Sequence, residues 1–488
     1  MTTCALVGAT YFNEQDFMAR YNEGFFDFII AVDGGFAPLD RLGVAPDMAI
    51  GDFDSLGYIP RAKRVSRHPV NKDASDMELA LQRAANYRHT DIYVLSLIHI
   101  SPRKVRGAVK RVLHPGGDIM RIVLSGGGTA GHINPALALA DVLRERGHEV
   151  LFAGTPGGIE SRLVPAAGIP YKAFEAAGFN RNHPLTLPKA IMKIQRSTKL
   201  ARKWFSEVHP DCVVGFGGYV CIPVARAAEQ CGIPVVVHEQ NSVMGMANKY
   251  LARRARAVCL TYDHAARALS DKSHVVLTGN PVRASVFAAT RAEGRAAFGV
   301  PEDARMLLVT GGSLGARHLN AAIVQRKDML LGYPDLHIVH VTGPKELDSV
   351  TEQLALTDEQ AKRWRLMGYT DQMGLAMAAA DAIVSRAGAT SLAEISARHI
   401  PALLVPFPYA TEDHQTMNAR ACVEAGAAFL VADADVEGAQ FTDYLKTLVE
   451  DETARQRMSA AAAAAKTRDA AGLLADVVLK ACESKSAQ

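Results

Sequence analysis

Ser125-Gly126-Gly127-Gly128-Thr129-Ala130-Gly131-His132 is the stretch on which the reading of this chain turns. The apolar run Ile122-Val123-Leu124 enters it, and a helical pattern, Pro135-Ala136-Leu137-Ala138-Leu139-Ala140, leaves it. A strand, a glycine turn and a helix in that order aim backbone N–H groups and a helix N-terminus at whatever sits above the turn. His132 stands at the same place. An anion donor beside a group that exchanges protons near neutral pH points to an enzyme. Related turns follow at Val214-Gly215-Phe216-Gly217-Gly218-Tyr219, at Val309-Thr310-Gly311-Gly312-Ser313-Leu314-Gly315-Ala316-Arg317 and at Ser385-Arg386-Ala387-Gly388-Ala389-Thr390.

Around these turns the pattern repeats strand, turn, helix. From Met120, strands are expected at Ile122–Leu124, Val150–Ala153, Cys212–Val214, Val235–His238, Ala257–Leu260 and Val275–Leu277. A second series covers Met306–Val309, Ile338–Val341, Trp364–Met367, Ala382–Val384 and Ala402–Val405. This alternation implies parallel sheets with helices on both faces. Two doubly wound domains result, 120–285 and 286–451, with a helical tail over 452–488 that packs back across them. The turn at Ser125 does not read as a dinucleotide site. That site needs an acid ~20 residues on, at the exit of the second strand, and Val150-Leu151-Phe152-Ala153-Gly154-Thr155 carries none there. No lysine follows the glycines, so a Walker loop is absent too.

Composition sets the outer limits. The chain has 488 residues, 49% hydrophobic and 22% charged, the profile of a globular protein with several cores. A net charge of +3 implies no nucleic-acid partner. The seven cysteines show no CxxC pair or zinc spacing and read as buried thiols. Nothing at the N-terminus resembles a signal peptide, and no apolar run approaches the ~20 residues that span a bilayer.

Residues 1–95 form a separate α/β segment, with strands expected at Ala5–Gly8, Phe28–Val32 and Ile92–Leu95. Its acidic turns are Asp33-Gly34-Gly35, Pro46-Asp47 and Gly51-Asp52-Phe53-Asp54-Ser55. Lys72-Asp73-Ala74-Ser75-Asp76-Met77-Glu78 opens a helix. Carboxylates at strand ends suit Mg²⁺ and a nucleotide, and they equally suit turns and caps. Together these strings resemble the N-terminal part of thiamine pyrophosphokinases. That resemblance implies a nucleotide half-site with a vestigial Mg²⁺ site at Asp33, Asp52 and Asp54. The family's glycine-rich segment and β-rich thiamine domain do not follow, so the segment is read as truncated. Residues 96–119 are read as a linker or gene-model junction, basic at Arg103, Lys104, Arg106, Lys110 and Arg111. Leu95–Ser101 looks like a translated sequencing adapter and Gly116-Gly117-Asp118 like a translated ribosome-binding site, which would make Met120 a separate start.

Three further strings gather polar groups at strand ends: His238-Glu239-Gln240-Asn241, Gly279-Asn280-Pro281-Val282-Arg283 and Asp413-His414-Gln415-Thr416-Met417-Asn418. Polar groups at the carboxyl ends of two facing sheets describe an interdomain ligand cleft. With the glycine turns, and in this order, they make the chain from Met120 onward similar to the MurG family, the N-acetylglucosaminyltransferases of peptidoglycan synthesis. The resemblance implies an α/β fold of GT-B type, two doubly wound parallel-sheet domains facing across a cleft. It implies inverting transfer of GlcNAc from UDP-GlcNAc to the MurNAc C4 hydroxyl of lipid I, giving lipid II. No cofactor is required by that reading, with Mg²⁺ a possible stimulant.

Carried over residue by residue, the resemblance assigns Thr129, Ala130 and Gly131 to the first substrate loop, with Ala130 where many relatives have Gly. Asn241 and Arg283 fall at donor contacts, Ser313 at the diphosphate and Thr370 at the uracil. Ala389, Thr390, Ser391, Leu392, Ala393 and Glu394 form the nucleotide-sugar loop, with Glu394 on the ribose. His414, Gln415 and Asn418 fall at sugar contacts, His414 replacing a Gln found in some relatives. His132 is the expected base, and a helix N-terminus disfavours a cation there, as a neutral base requires. Its bland alternative is a structural hydrogen bond that shapes the loop.

A lipid acceptor requires a membrane surface. In Leu187–Phe205, Lys189, Lys193, Arg196, Lys199 and Lys203 recur at helical spacing, and Leu187, Ile191, Ile194, Ala201 and Phe205 form a second stripe. Such a helix suits the anionic cytoplasmic face of the inner membrane, and equally a surface helix with its apolar stripe in the core. Two other readings of the whole remain: a bifunctional or chimeric chain with a thiamine pyrophosphokinase-like module, and a non-catalytic nucleotide-binding or docking module over residues 1–95.

Overall fold

In the computed structural model the chain divides into two compact units, Met1–Ile119 and Met120–Gln488. The structure describes residues 3–8, 14–51, 53, 56, 58, 60–67, 79–80, 83–84, 91–95, 111–114, 117–176, 187–312, 316–464 and 469–483. Asp52, Asp54, the acidic cluster at 73–78, residues 96–110 and 115–116 of the junction read over 96–119, and Ser313 therefore lie outside the described residues.

The first unit holds a seven-stranded sheet. In spatial order it runs Val65–Arg67, Met48–Gly51, Phe28–Val32, Thr3–Val7, Asp91–Leu95, Arg111–His114, Gly117–Asp118. All pairs are parallel except the last, which is antiparallel. The strand Thr3–Val7 is buried on both faces, with Cys4, Leu6, Ile30 and Ile50 on one side and Ala5, Val7, Phe17 and Phe36 on the other. Such continuous apolar runs are what a parallel sheet needs. The segment expected to be a linker instead supplies two short strands, and Arg111 is one of their residues. Its apolar part, Val112-Leu113, is too short to read as a strand against the basic residues before it.

The second unit contains two sheets. The first has the spatial order Tyr171–Ala173, Glu149–Gly154, Arg121–Ser125, Cys212–Gly215, Val235–Glu239, Ala257–Leu260, Val275–Leu277. The second runs Leu336–Val341 between Trp364–Met367 and Arg305–Thr310, then Ala382–Ser385, Ala402–Leu404, Ala428–Leu430. Numbered within each domain, both begin 3-2-1-4-5-6, and every pair is parallel. In such a sheet the winding reverses between strands 1 and 4, and a crevice opens at their carboxyl ends. All four glycine turns fall at those two places.

Helices cover both faces of each sheet. Val123, Val213, Val235 and Val237 face one core of the first domain, and Ile122, Leu124, Val214 and Val236 face the other. This is the period-2 alternation of a strand buried on both sides. The C-terminal helix Ala470–Glu483 returns to the first domain. It places Leu474, Val478 and Cys482, spaced by four residues, into the core with Ala136, Leu139 and Leu143. Each fully buried Leu or Val there is worth ~1.5–3 kcal/mol of transfer free energy. Arg146 also pairs with Asp476 at 2.6 Å.

Candidate active site between the two facing sheets

The helix Ala130–Glu145 begins at the glycine turn, with Thr129 extended (φ −145°, ψ 153°) at its N-cap. The Thr129 side chain does not cap the helix, and although the His132 amide donates to the Thr129 carbonyl at 3.1 Å, the amides of Ala130 and Gly131 before it keep their capacity to bind an anion. His132 lies one turn in. Its Nδ1 is 2.8 Å from the Gly127 carbonyl oxygen and 3.4 Å from Thr129 Oγ1. A carbonyl only accepts, so Nδ1 carries a proton, and in the neutral ring the lone pair sits on Nε2. Nε2 has no hydrogen-bond partner among the described residues. The turn from the neighbouring strand leaves room for this ring: a Cβ on Gly217 (φ +107°) would stand 3.0 Å from His132 Nε2. Only glycine fits that position.

Pro135 adds a second consequence. It lies inside the first two turns of the helix and has no N–H for the carbonyl four residues back, that of Gly131. The Gly131 carbonyl instead accepts from Thr390 Oγ1 of the second domain at 3.2 Å. Thr390 opens the helix Ala389–Ala397 at the other switch point. The two glycine turns are thus bonded to each other across the cleft.

A second bridge comes from the polar string on the fifth strand. His238, Glu239 and Gln240 are buried, and they brace the strand end rather than face a ligand. His238 Nε2 lies 2.9 Å from the Gly279 carbonyl oxygen, and burial presses its imidazole down to about 4, so it donates as the neutral ring. Glu239 accepts from the Asn241 amide, Gly245 N and Asn248 Nδ2. That leaves Asn241 and Ser242 to reach the second domain. Asn418 Nδ2 donates to Asn241 Oδ1 at 3.2 Å, and Ser242 N donates to Asn418 Oδ1 at 2.8 Å. Asn418 is fully buried by these contacts. Ser242 Oγ also donates to the His414 carbonyl at 3.4 Å.

Glu394 is the acid of the second domain's turn. Burial pushes its carboxyl up to about 7, and the Arg283 guanidinium opposes this. Arg283 begins the helix Ala284–Ala288 between the domains and lies 3.6 Å from Asp141. Leu392 packs in the second domain's core, so its neighbours Ser391 and Ala393 present the loop. Gln415 Oε1 accepts from Phe407 N, and Thr370 Oγ1 accepts from Gln372 N. Nearby, Arg386 pairs with Asp433 at 2.5 Å, a buried pair that sequence reading did not single out.

Among the residues missed in the sequence, Glu160 stands out. It is five residues beyond the strand exit read as free of acid, yet its side chain turns back to Thr155 and Gly128. The signal was present as an acid beside three glycines, Gly154, Gly157 and Gly158.

Two facing sheets of this order, bonded at their switch points around a histidine, define a GT-B glycosyltransferase. A family profile described as the Glycosyltransferase family 28 N-terminal domain matches residues 122–260, and the C-terminal domain of the same family matches 306–474. The chain is 40% identical over 361 residues to the UDP-N-acetylglucosamine–N-acetylmuramyl-(pentapeptide) pyrophosphoryl-undecaprenol N-acetylglucosamine transferase of Lactiplantibacillus plantarum, covering 74% of this chain and 99% of the relative. It is 38% identical over 345 residues to the protein of that name from Halothermothrix orenii, covering 70% of this chain and 93% of the relative. Among solved structures, MurG of Acinetobacter baumannii aligns with a TM-score of 0.58 at 27% identity, over 74% of this chain and 99% of that one. The chain belongs to the family of these UDP-N-acetylglucosamine–N-acetylmuramyl-(pentapeptide) pyrophosphoryl-undecaprenol N-acetylglucosamine transferases.

The first unit has its own match. A profile described as the thiamin pyrophosphokinase catalytic domain covers residues 25–99. Of the residues read as a Mg²⁺ site, Asp33 is described: it has φ +47°, and its Oδ1 accepts from Phe53 N at 3.1 Å.

Proposed function

We infer that Met120–Gln488 transfers GlcNAc from UDP-GlcNAc to the MurNAc C4 hydroxyl of lipid I, making lipid II for peptidoglycan synthesis. The observation that carries this is the pair of switch-point turns bonded across one cleft, in a chain that matches the named transferases over nearly their whole length. His132 Nε2 takes the proton of the acceptor hydroxyl as that oxygen bonds to the anomeric carbon. The bond from that carbon to the diphosphate breaks, and its electron pair leaves on UDP. A base positioned in this way is worth ~10²–10⁴ in rate. Arg283, the helix N-terminus beginning at Ala389 and the amides after Thr129 oppose the charge that develops on the diphosphate. Glu394 accepts the ribose hydroxyls. Asn241, His414, Gln415 and Asn418 shape the sugar pocket, Thr370 meets the uracil and Ser313 the diphosphate.

Approach to a lipid acceptor uses the helix Leu187–Val208. Its apolar residues divide between two faces: Ala201, Trp204 and Phe205 are in the core, whereas Ile191, Met192 and Leu200 are 44%, 62% and 51% exposed. Arg196, Lys199, Arg202 and Lys203 are exposed beside the apolar residues. Such a surface suits peripheral binding to the anionic cytoplasmic face of the membrane, at ~1 kcal/mol per basic residue. No helix among the described residues is long and apolar enough to cross a bilayer. Co-sedimentation with anionic vesicles but not with neutral ones is expected; equal binding to both would remove this role.

A second reading concerns the first unit alone. The kinase profile over 25–99 favours a nucleotide-binding module there. Turnover of UDP-GlcNAc with a lipid I analogue by the full chain and by a chain starting at Met120 separates the two readings. Equal kcat is expected; loss of transfer in the shorter chain would give the first unit a part in the reaction.

A further inference from the structure

Glu160 is a fully buried carboxylate that the transfer chemistry described above does not use. No cation lies within ion-pair distance of it among the described residues. Its oxygens meet donors alone: Thr155 N at 3.1 Å and Thr155 Oγ1 at 2.6 Å on Oε1, and Gly128 N at 3.3 Å on Oε2. A carboxyl facing three donors is held as an acceptor, that is, as the carboxylate. Its room is made by glycines. A Cβ on Gly127 would stand 2.7 Å from Oε1, one on Gly154 would stand 2.7 Å from Cγ, and one on Gly158 would collide with both oxygens. Buried charge needs strong reasons to persist, since isolated ions are costly away from water.

We propose that Glu160 is a positioning residue for His132, acting through the peptide between Gly127 and Gly128. That peptide is trans, as are all those described, so its C=O and N–H point in opposite directions in one plane. The N–H end donates to Glu160 and the C=O end accepts from His132 Nδ1. Carboxylate, peptide and imidazole form one hydrogen-bonded chain. Such chains polarise along their length, so the carboxylate makes the Gly127 oxygen a better acceptor for Nδ1–H. This holds the tautomer that leaves Nε2 basic, and it stabilises the imidazolium formed when Nε2 takes the acceptor proton. No proton travels along the chain: Nδ1 keeps its hydrogen and Glu160 stays ionised. A third group that orients a base is a recurrent device; here a backbone amide is interposed, which lets the acid stay out of water on the far side of the glycine turn.

This inference rests on His132 being the base, and the test separates the two. With the full chain, UDP-GlcNAc and a lipid I analogue, Glu160→Gln is expected to lower kcat per active site by about tenfold or more, as misoriented bases do, with KM for UDP-GlcNAc within about twofold. Glu160→Asp, which keeps the charge, recovers part of the loss. Unchanged kcat per active site with only a lower melting temperature would reduce Glu160 to a packing residue and overturn the proposal. Nitrogen-15 NMR of histidine in the unaltered chain, with the His132 signal assigned from a His132→Gln chain, reads the tautomer directly even where Glu160→Gln does not fold. Protonated Nδ1 is expected, and protonated Nε2 overturns the relay. Normal turnover by His132→Ala would sink both readings, whereas an inactive His132→Ala beside a fully active Glu160→Gln would sink the relay alone.

Discussion

The two facing sheets share one strand order and carry their glycine turns at equivalent switch points, yet the chemistry of the two sites differs. At the first, the polar groups are backbone amides and a single imidazole whose Nε2 is open. At the second, the groups are an acid raised by burial, a threonine that reaches across and an Arg386–Asp433 pair held beneath the turn. Topology fixes where a ligand can sit, and side chains decide which ligand. Under the proposed function, a base would serve the side that must deprotonate an acceptor, and an acid able to accept two hydroxyls, beside a helix N-terminus, would serve the side that must hold a nucleotide sugar.

The division is broken most severely at His132. His132→Ala is expected to lower kcat by ~10²–10⁴ while the affinity for UDP-GlcNAc, measured by calorimetry, stays within about twofold. A large loss of donor affinity instead would mean that the first sheet's turn binds the donor directly, and the assignment of sides would fail.

Glu394 tests the other side, and its effect depends on pH. With its carboxyl pushed up to about 7 by burial, it is mostly protonated at pH 6 and ionised at pH 8. If ribose hydroxyls donate to this carboxylate, as proposed, donor binding should tighten as pH rises through about 7 and should release a proton at pH 6. Calorimetry in buffers of different ionisation enthalpy counts that proton. Glu394→Gln should flatten the profile and weaken binding at pH 8 by roughly 10–100-fold, the worth of a charged hydrogen bond. The raised value has a stability cost of known sign. Between the ordinary glutamate range and about 7 the folded chain holds the extra proton, so stability declines as pH rises through that window. The ligand-free Glu394→Gln chain should therefore melt above its parent at pH 8. A pH-independent affinity in the parent would show that Glu394 does not meet the ribose as a carboxylate.

Much of this was legible before any coordinates. Strands buried on both faces carry uninterrupted apolar runs, so Val235–Glu239 and Ala257–Leu260 could be read almost to the residue. The three-residue edge strand Tyr171–Ala173 could not, because a lysine breaks its apolar pattern, and Ala428–Leu430 was missed although it lies in an apolar run. The HEQN string was read as four groups at a ligand cleft, yet three of them brace the strand from inside. Sequence shows that polar groups are near one another, not which way they turn. Glu160 was passed over for a related reason. Its partner is a backbone amide 32 residues earlier, and a main-chain donor leaves no mark on composition.

The smallest expected effect concerns the joint between the two sides, and Pro135 makes it testable. Because Pro135 offers no N–H, the Gly131 carbonyl is available to Thr390. Thr390→Val removes one hydroxyl of similar shape from a part-buried bond, worth ~0.5–1.5 kcal/mol, or about 2–10-fold in kcat/KM. Pro135→Ala attacks the same bond from within the helix, by supplying an amide that competes for the carbonyl. If the bridge matters to cleft closure, each change lowers kcat/KM modestly, and the pair together cost no more than the larger one, since both remove a single interaction. Simple additivity of the two would mean that Pro135 acts on the helix alone. The two glycine turns would then meet across the cleft without either depending on how the other folds.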